Sequence, residues 1–165
     1  MKNFILISVL FIGLSNLQAQ TTEPREQGKA FYLELFGNGI TYSLNYDQRF
    51  QKRMDGLGFK AGASFLSLGG SSVGTVPVGL NYLLGKEGKF FEMGMGSTLI
   101  FGGGNTDFAV GDGEPLDTYF LGTMTFGYRS EPTDGGFLFR ANLTPIFGGF
   151  GFYPFFGGIS VGYAF

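Results

Sequence analysis

The side chains of this sequence that could do chemistry are a small set of charged residues. The chain contains neither histidine nor cysteine, which excludes histidine-based catalytic triads, cysteine nucleophiles and thiolate metal sites. Charged residues make up 15% of the 165 positions, whereas soluble domains carry about 25%. Seven charged residues take inward positions in the strand pattern set out below: Glu34, Asp47, Arg49, Lys60, Glu92, Arg129 and Arg140.

Paired carboxylates could still perform acid–base chemistry, and Glu34 with Glu92 forms the inward glutamate pair. Ion pairing with Lys60 and Arg140 explains both glutamates better, because a buried charge without a partner is strongly destabilising. We therefore expect a lumen charge network, no enzymatic activity, and no catalytic, cofactor-binding or metal-binding residues. A gated path for small ions, in which the pairs exchange partners, is the alternative use of the same side chains.

The net charge of −2 provides no basic field for nucleic acid, so no nucleic-acid partner is expected. The longest connection, residues 101–117, contains four acidic side chains, at Asp107, Asp112, Glu114 and Asp117. Their spacing does not match a regular calcium-binding loop, and solvated loop acids are the simpler interpretation. Use of this loop as a surface for interaction with another molecule stays an open alternative.

The first 20 residues have the pattern of a secretory signal peptide. One positive charge at Lys2 precedes the apolar run FILISVLFIGL, and Ala19 provides a small residue at a plausible cleavage point. The run is shorter than the ~20 apolar residues that a membrane-spanning helix needs. Residues 21–29 follow as a polar lead-in, and residues 30–165 form the single remaining domain.

From Ala30 onward the sequence repeats with a period of two. In the stretch ITYSLNYDQRF, apolar and polar residues alternate, as they do in a strand with two different faces. Comparable stretches predict about eight strands, each near the roughly 9–11 residues of a tilted membrane-spanning strand. They cover 29–36, 40–50, 57–68, 75–84, 90–101, 118–129, 136–147 and 153–165. Such a meander predicts an all-β, up-and-down antiparallel barrel.

The composition of the two strand faces separates a membrane barrel from a soluble one. One face is small and mostly polar, as at Gly62, Ser64 and Thr125, and would fit a narrow lumen. The other face is apolar and uncharged, as at Phe59 and Leu80, and a Lys or Arg there would cost about 2–4 kcal/mol at the bilayer midplane. We therefore predict a transmembrane barrel in contact with the lipid bilayer. A soluble, lipocalin-like barrel is the alternative.

The segments FYLELFGNGITYSLNYDQRF and FRANLTPIFGGF, with the ending GISVGYAF, resemble those of small bacterial outer-membrane β-barrel proteins. This eight-stranded group includes the membrane domain of outer-membrane protein A. The resemblance covers residues 30–165 and implies the bacterial outer membrane as the location. It also implies that the barrel-assembly machinery reads the final strand, with Tyr163 and Phe165 as recognition residues. Contact with lipid alone is the alternative role of these two aromatic side chains.

An eight-stranded barrel is just wide enough for side chains to fill its interior or to hold one small ligand. We therefore expect a non-enzymatic envelope protein with a side-chain-filled lumen. A narrow channel, or a barrel that binds or transports a small ligand, is the alternative, and the sequence identifies no ligand.

Overall fold

The computed structural model describes residues 25–68, 71–103 and 118–165. Residues 1–24 and 104–117, which include the expected signal peptide and most of the long connection, lie outside the described residues. Within the described ranges the chain forms ten strands and a short 3-10 turn at Gly37–Gly39. The strands are β1 (Lys29–Phe36), β2 (Tyr42–Arg49), β3 (Gly56–Leu68), β4 (Ser71–Lys86), β5 (Lys89–Gly103), β6 (Thr118–Ser130), β7 (Gly136–Leu143), β8 (Ile146–Gly148), β9 (Gly151–Tyr153) and β10 (Gly157–Ala164).

The strands form one closed antiparallel barrel. Consecutive strands pair from β1 to β7, and β10 pairs with both β7 and β1, which closes the ring. The closing register places Ala30 opposite Ala164 and Phe36 opposite Gly158. The wall therefore has eight strand positions in up-and-down order, and the predicted barrel is confirmed.

Proline interrupts two of these eight wall positions. β7 ends at Leu143 and β8 begins at Ile146, with Pro145 between them, because proline lacks the N–H that a strand ladder needs. A segment that contains Pro154 likewise separates β9 from β10. β8 still pairs with β6, and β8 and β9 form a short hairpin. The continuous strands expected over 136–147 and 153–165 are therefore wrong in this detail.

The period-two alternation separates the interior of the ring from its outer surface. Along β2, Ser43, Asn45 and Asp47 are buried, whereas Leu44 between them is 65% exposed. Large apolar side chains cover the outer surface all around the barrel, for example Phe31, Leu44, Phe65, Leu80, Met95 and Phe137. This is the reverse of a soluble barrel, in which the outer face carries the polar residues.

The first and last residues of the barrel wall, Lys29 and Ala164, lie at the same end of the barrel. We call this end the terminal end, and the opposite end the distal end. β3, β4 and β5 have 13, 16 and 15 residues, whereas β1, β2, β7 and β10 have 8 each. One side of the wall is therefore taller than the other.

No helix in the described ranges is long and apolar enough to cross a membrane.

Candidate functional site

The lumen of the barrel holds the charged side chains that the alternation predicts to be inward. All seven lie inside the ring and are at most 4% exposed: Glu34, Asp47, Arg49, Lys60, Glu92, Arg129 and Arg140. They occupy β1, β2, β3, β5, β6 and β7, so nearly the whole wall contributes. Because each strand sends alternate side chains inward, six separate strands bring seven charges into one narrow space.

Arg140 is the centre of one group of these charges. Its Nε and Nη2 donate to the two carboxylate oxygens of Glu92 at 2.8 and 2.7 Å, a bidentate contact that suits the planar guanidinium group. Its Nη1 donates to Ser160 Oγ at 3.2 Å and lies 3.5 Å from Glu34 Oε1. The guanidinium carbon stands 4.3 Å from the centre of the Tyr32 ring, close enough for a cation–π contact. The arginine is thus held on several sides.

A second group lies beside the first, towards the terminal end. Arg49 Nη2 donates to Asp47 Oδ1 at 2.7 Å, and Arg129 Nη1 lies 3.2 Å from the same oxygen. Arg129 Nε in turn donates to Glu131 Oε2 at 2.6 Å. Asp47 therefore contacts two positive charges, which compensates for the loss of water around it.

Asn81 on β4 joins the two groups. Its amide nitrogen donates to Asp47 Oδ2 at 2.7 Å and to Glu92 Oε1 at 2.9 Å. Its amide oxygen accepts from Arg49 Nη2 at 2.6 Å. The alternation places Asn81 among the small polar lumen residues, but its bridging role depends on a register that the sequence does not reveal.

Lys60 differs from the expectation that it pairs with a glutamate. Its Nζ donates to Thr125 Oγ1 at 2.9 Å, and among the described residues no carboxylate oxygen lies within 4.0 Å of it. Both oxygens of Glu92 are taken by Arg140. A bidentate guanidinium satisfies a carboxylate better than a single ammonium does, so the lysine is left with a neutral partner.

Two members of the network lie outside the strands, and sequence reasoning missed them. Glu131 follows β6, and Arg25 belongs to the polar lead-in. Arg25 Nη2 donates to Glu131 Oε1 at 2.7 Å and to the Lys29 carbonyl at 2.8 Å. Gln27 Nε2 donates to the Arg49 carbonyl at 2.6 Å. The lead-in therefore packs under the lumen at the terminal end. Its sequence shows no period-two alternation, because it is not a strand.

The exposed turn after β2 carries two further ion pairs at the terminal end. Lys52 Nζ donates to Glu26 Oε2 at 2.7 Å, and Arg53 donates to both oxygens of Asp55 at 2.8 Å. The hydrogen bond from Lys52 lowers the pKa of the Glu26 carboxyl, and the one from Arg53 lowers the pKa of Asp55. These two ion pairs are exposed to water, unlike the buried ion pairs of the lumen.

The connection between β1 and β2 folds into the lumen. Its 3-10 turn, Gly37–Gly39, is buried throughout. Thr98 Oγ1 donates to the Asn38 carbonyl at 2.6 Å, and Thr75 Oγ1 donates to the Gly39 carbonyl at 3.2 Å. The Asn38 N–H donates to Glu34 Oε2 at 3.1 Å. We call residues 36–40 the lumen plug. The strand pattern of the sequence leaves residues 37–39 as a short connection with turn residues, and it does not indicate that this connection is buried.

The backbone of the lumen plug is strained at its borders. Phe36 and Ile40 have φ of 62° and 72°, values that residues other than glycine rarely adopt. Gly37 also has φ of 62°, and a Cβ there would lie 2.8 Å from Glu34 Cδ. Strain of this kind persists where the surroundings over-determine it, and the threonine and glutamate contacts described above supply that constraint.

Tyr163 and Phe165 lie at the outer surface near the terminal end. Their side chains are 43% and 45% exposed. The Phe165 N–H donates to the Lys29 carbonyl at 3.0 Å, and its ring stacks on Phe31 with the ring centres 5.7 Å apart. The two aromatic residues therefore belong to the same outer surface as the other exposed apolar side chains.

No metal site is evident in the part of the chain that the structure describes. These residues contain no group of three or more Asp or Glu side chains placed to hold a metal ion. The acids of the long connection, and the interaction surface suggested for residues 101–117, lie almost wholly outside the described residues. Their predicted roles stay predictions.

Comparison with known proteins gives one structural match. The N-terminal β-barrel domain of Pseudomonas aeruginosa OprF, a crystal structure, superposes with a TM-score of 0.60. The match covers 87% of this chain and 100% of the OprF domain, at 13% sequence identity. A scan against protein-family models finds no match, and no curated protein matches the sequence.

At 13% identity this likeness establishes the fold alone. The chain has the fold of the small eight-stranded outer-membrane β-barrels, with the strand order expected for it. The resemblance inferred from the sequence is therefore confirmed for architecture. It assigns no ligand and no activity.

Proposed function

We propose that the protein is an integral outer-membrane β-barrel with a closed lumen, a non-enzymatic component of the bacterial envelope. The observation that carries this proposal is the filling of the interior by two systems at once. The network of buried ion pairs occupies the lumen towards the terminal end, and the lumen plug lies across it further up. A solute would have to displace both.

The outer surface supports the membrane location. Large apolar side chains such as Phe31, Leu44 and Met95 are 58–65% exposed, an arrangement that water disfavours and hydrocarbon favours. The N-terminal export pattern agrees with this location. We place the terminal end at the periplasmic side, so that the strand ending at Tyr163 and Phe165 is available to the barrel-assembly machinery.

Membrane fractionation of cells tests the location. The full-length protein should appear in the outer-membrane fraction and should migrate faster on a gel before heating than after it, because a folded barrel resists detergent. Recovery of the mature protein in the soluble fraction without detergent would favour the lipocalin-like alternative instead.

Conductance in planar lipid bilayers tests the closed lumen. Purified wild-type protein should insert without stepwise current. A large porin, whose barrel encloses an aqueous channel, is the control that currents are detectable in the same bilayers. The double variant Arg140→Ser/Glu92→Ser removes both members of the bidentate pair but leaves the lumen plug in place, so it should also insert without stepwise current. Steady stepwise conductance from the wild type would overturn the proposal.

A further inference from the structure

A cavity of about 260 Å³ lies in the distal half of the lumen, beyond the lumen plug. Apolar side chains from five strands and one turn form most of its wall: Leu66, Val73, Ile100, Leu121, Ile146 and Phe150. No charged residue is among the described residues that line it. The lumen thus changes character along its axis, from a charged network near the chain ends to an apolar chamber at the distal end.

The floor of the chamber separates it from the charges. Ile40 of the lumen plug lines the cavity, and Asn38 on the other side of the plug is bonded to Glu34 and Thr98. The wall hydroxyls are satisfied within the wall, since Ser64 Oγ lies 2.7 Å from Thr75 Oγ1 and Thr75 donates to the Gly39 carbonyl. Ser64 and Thr75 therefore do not require a polar ligand.

The β8–β9 hairpin covers part of the mouth of the chamber. Its turn carries Phe150, whose ring lies 6.1 Å from the Tyr119 ring and 5.5 Å from the Tyr153 ring, centre to centre. The Gly149 N–H donates to the Tyr119 hydroxyl. The hairpin extends the wall beyond Pro145, because β8 pairs with β6 in the same register as β7 does.

The size and chemistry of the chamber define what it could hold. An apolar cavity of ~150 Å³ in a protein interior stays dry and binds benzene or xenon. A chamber of about 260 Å³ therefore has room for a molecule roughly one to two times the size of benzene. A charged molecule would lose its hydration without gaining a partner. The fit is therefore to a small, neutral hydrocarbon or aromatic molecule.

We propose that this distal chamber is a binding site for small, neutral apolar molecules, closed at its base by the lumen plug and partly covered by the β8–β9 hairpin. The inference goes beyond the closed-barrel function, because a barrel can be closed to solutes and still hold a ligand above its plug.

Methyl NMR of the refolded full-length chain in detergent micelles, titrated with benzene, tests the proposal. Benzene also enters micelles, so the comparison is between methyl groups inside and outside the same barrel. The inward methyls of Ile100, Leu121 and Ile146 should shift and saturate, whereas those of the outward Leu99 and Val78 should show only small, linear changes. Sodium benzoate, which adds a charge to the same ring, should leave the inward methyls unshifted.

Two variants with the same chemical change locate the site. Val73→Phe places a ring in the chamber and should weaken benzene binding at least ten-fold. Val78→Phe adds the same ring at the outer surface, where Val78 is 48% exposed, and should leave binding unchanged. Benzene shifts that never saturate, or that are equal inside and outside, would overturn the proposal, as would equal binding of benzoate. These outcomes can be read in the wild type alone, even if Val73→Phe fails to fold.

Discussion

Arg140 on β7 and Glu92 on β5 form a bidentate ion pair inside the barrel, although the strand β6 lies between theirs in the wall. The two contacts measure 2.7 and 2.8 Å, and both side chains are fully buried. The pair spans the curvature of the wall and connects elements that share no ladder hydrogen bonds. It therefore ties together parts of the ring that backbone pairing links only indirectly.

Replacement of Arg140 by methionine should destabilise the barrel by about 3–5 kcal/mol, because it leaves Glu92 buried and uncompensated. Urea unfolding of the barrel refolded in lipid vesicles, followed by gel mobility, measures the change. Adding Glu92→Gln should recover part of the loss, since Glu34 also loses Arg140 as its partner. Lys52→Met, which breaks an exposed ion pair with Glu26, is the matched control and should leave the free energy of unfolding nearly unchanged. If Arg140→Met alone were as stable as the wild type, the stabilising role of the Arg140–Glu92 pair would be contradicted.

Replacement of Lys60 by methionine should have the opposite effect. Within the described lumen, five basic side chains accompany four acidic ones, and Lys60 is the member bonded to a neutral hydroxyl. Removing an ammonium that lacks a carboxylate partner relieves a desolvation penalty, so the free energy of unfolding should stay the same or rise by about 1 kcal/mol. The same urea experiment measures it. A loss comparable to that of Arg140→Met would mean that Lys60 is paired after all.

Replacement of Gly37 by alanine should loosen the lumen plug. The residue has φ of 62°, and the added Cβ would meet Glu34 Cδ at 2.8 Å. Gly56→Ala is the matched control, since Gly56 has φ of 86° and nothing lies within 4 Å of its added Cβ. Both variants carry backbone strain of about 1–3 kcal/mol, but Gly37→Ala should lose more stability by the contact with Glu34. Equal unfolding midpoints of the two variants would show that the lumen plug accommodates the added methyl group without loss of stability.

Deletion of Phe165 should reduce the amount of barrel in the outer membrane more than it reduces the stability of barrels already assembled. The residue contributes one backbone hydrogen bond and one ring stack to the folded wall, whereas the proposed recognition by the assembly machinery depends on the terminal aromatic residue itself. Cell fractionation and urea unfolding measure the two effects separately. Phe137→Ala is the control, because Phe137 is an exposed aromatic residue paired opposite Tyr163 on the neighbouring strand. Equal membrane levels of deletion and wild type would refute the recognition role.

The alternation of side chains made the barrel and the inward charges predictable. A period of two fixes which side chains share a face, so Asp47 and Arg49 on β2, or Glu92 on β5, follow from their neighbours without knowledge of the fold. Which charge meets which is a different matter. Pairing across the lumen depends on the shear of the ring, and the sequence alone could not tell that Arg140 would take both oxygens of Glu92 and leave Lys60 to Thr125.

Features that interrupt the period were harder to predict. The lumen plug has the composition of an ordinary hairpin turn, and it is drawn inward by hydroxyl groups of Thr75 and Thr98, 36 and 60 residues away from their partners. Arg25 and Glu131 stand outside the strands, where no alternation applies. The apolar distal chamber was also missed, because inward positions such as Ile100 and Leu121 differ from the small polar residues that line the rest of the lumen.

The hydrogen bond between the Phe165 N–H and the Lys29 carbonyl places the two ends of the wall side by side. A circularly permuted gene could therefore join the two ends of the wall through a short linker and open the chain at the Glu87–Gly88 turn instead. All strand pairings of the ring would be retained. The order in which the strands are synthesised would change, but their order around the ring would not. Such a permutant would separate what the closing strand contributes as a neighbour of β1 and β7 from what it contributes through its place in the order of synthesis.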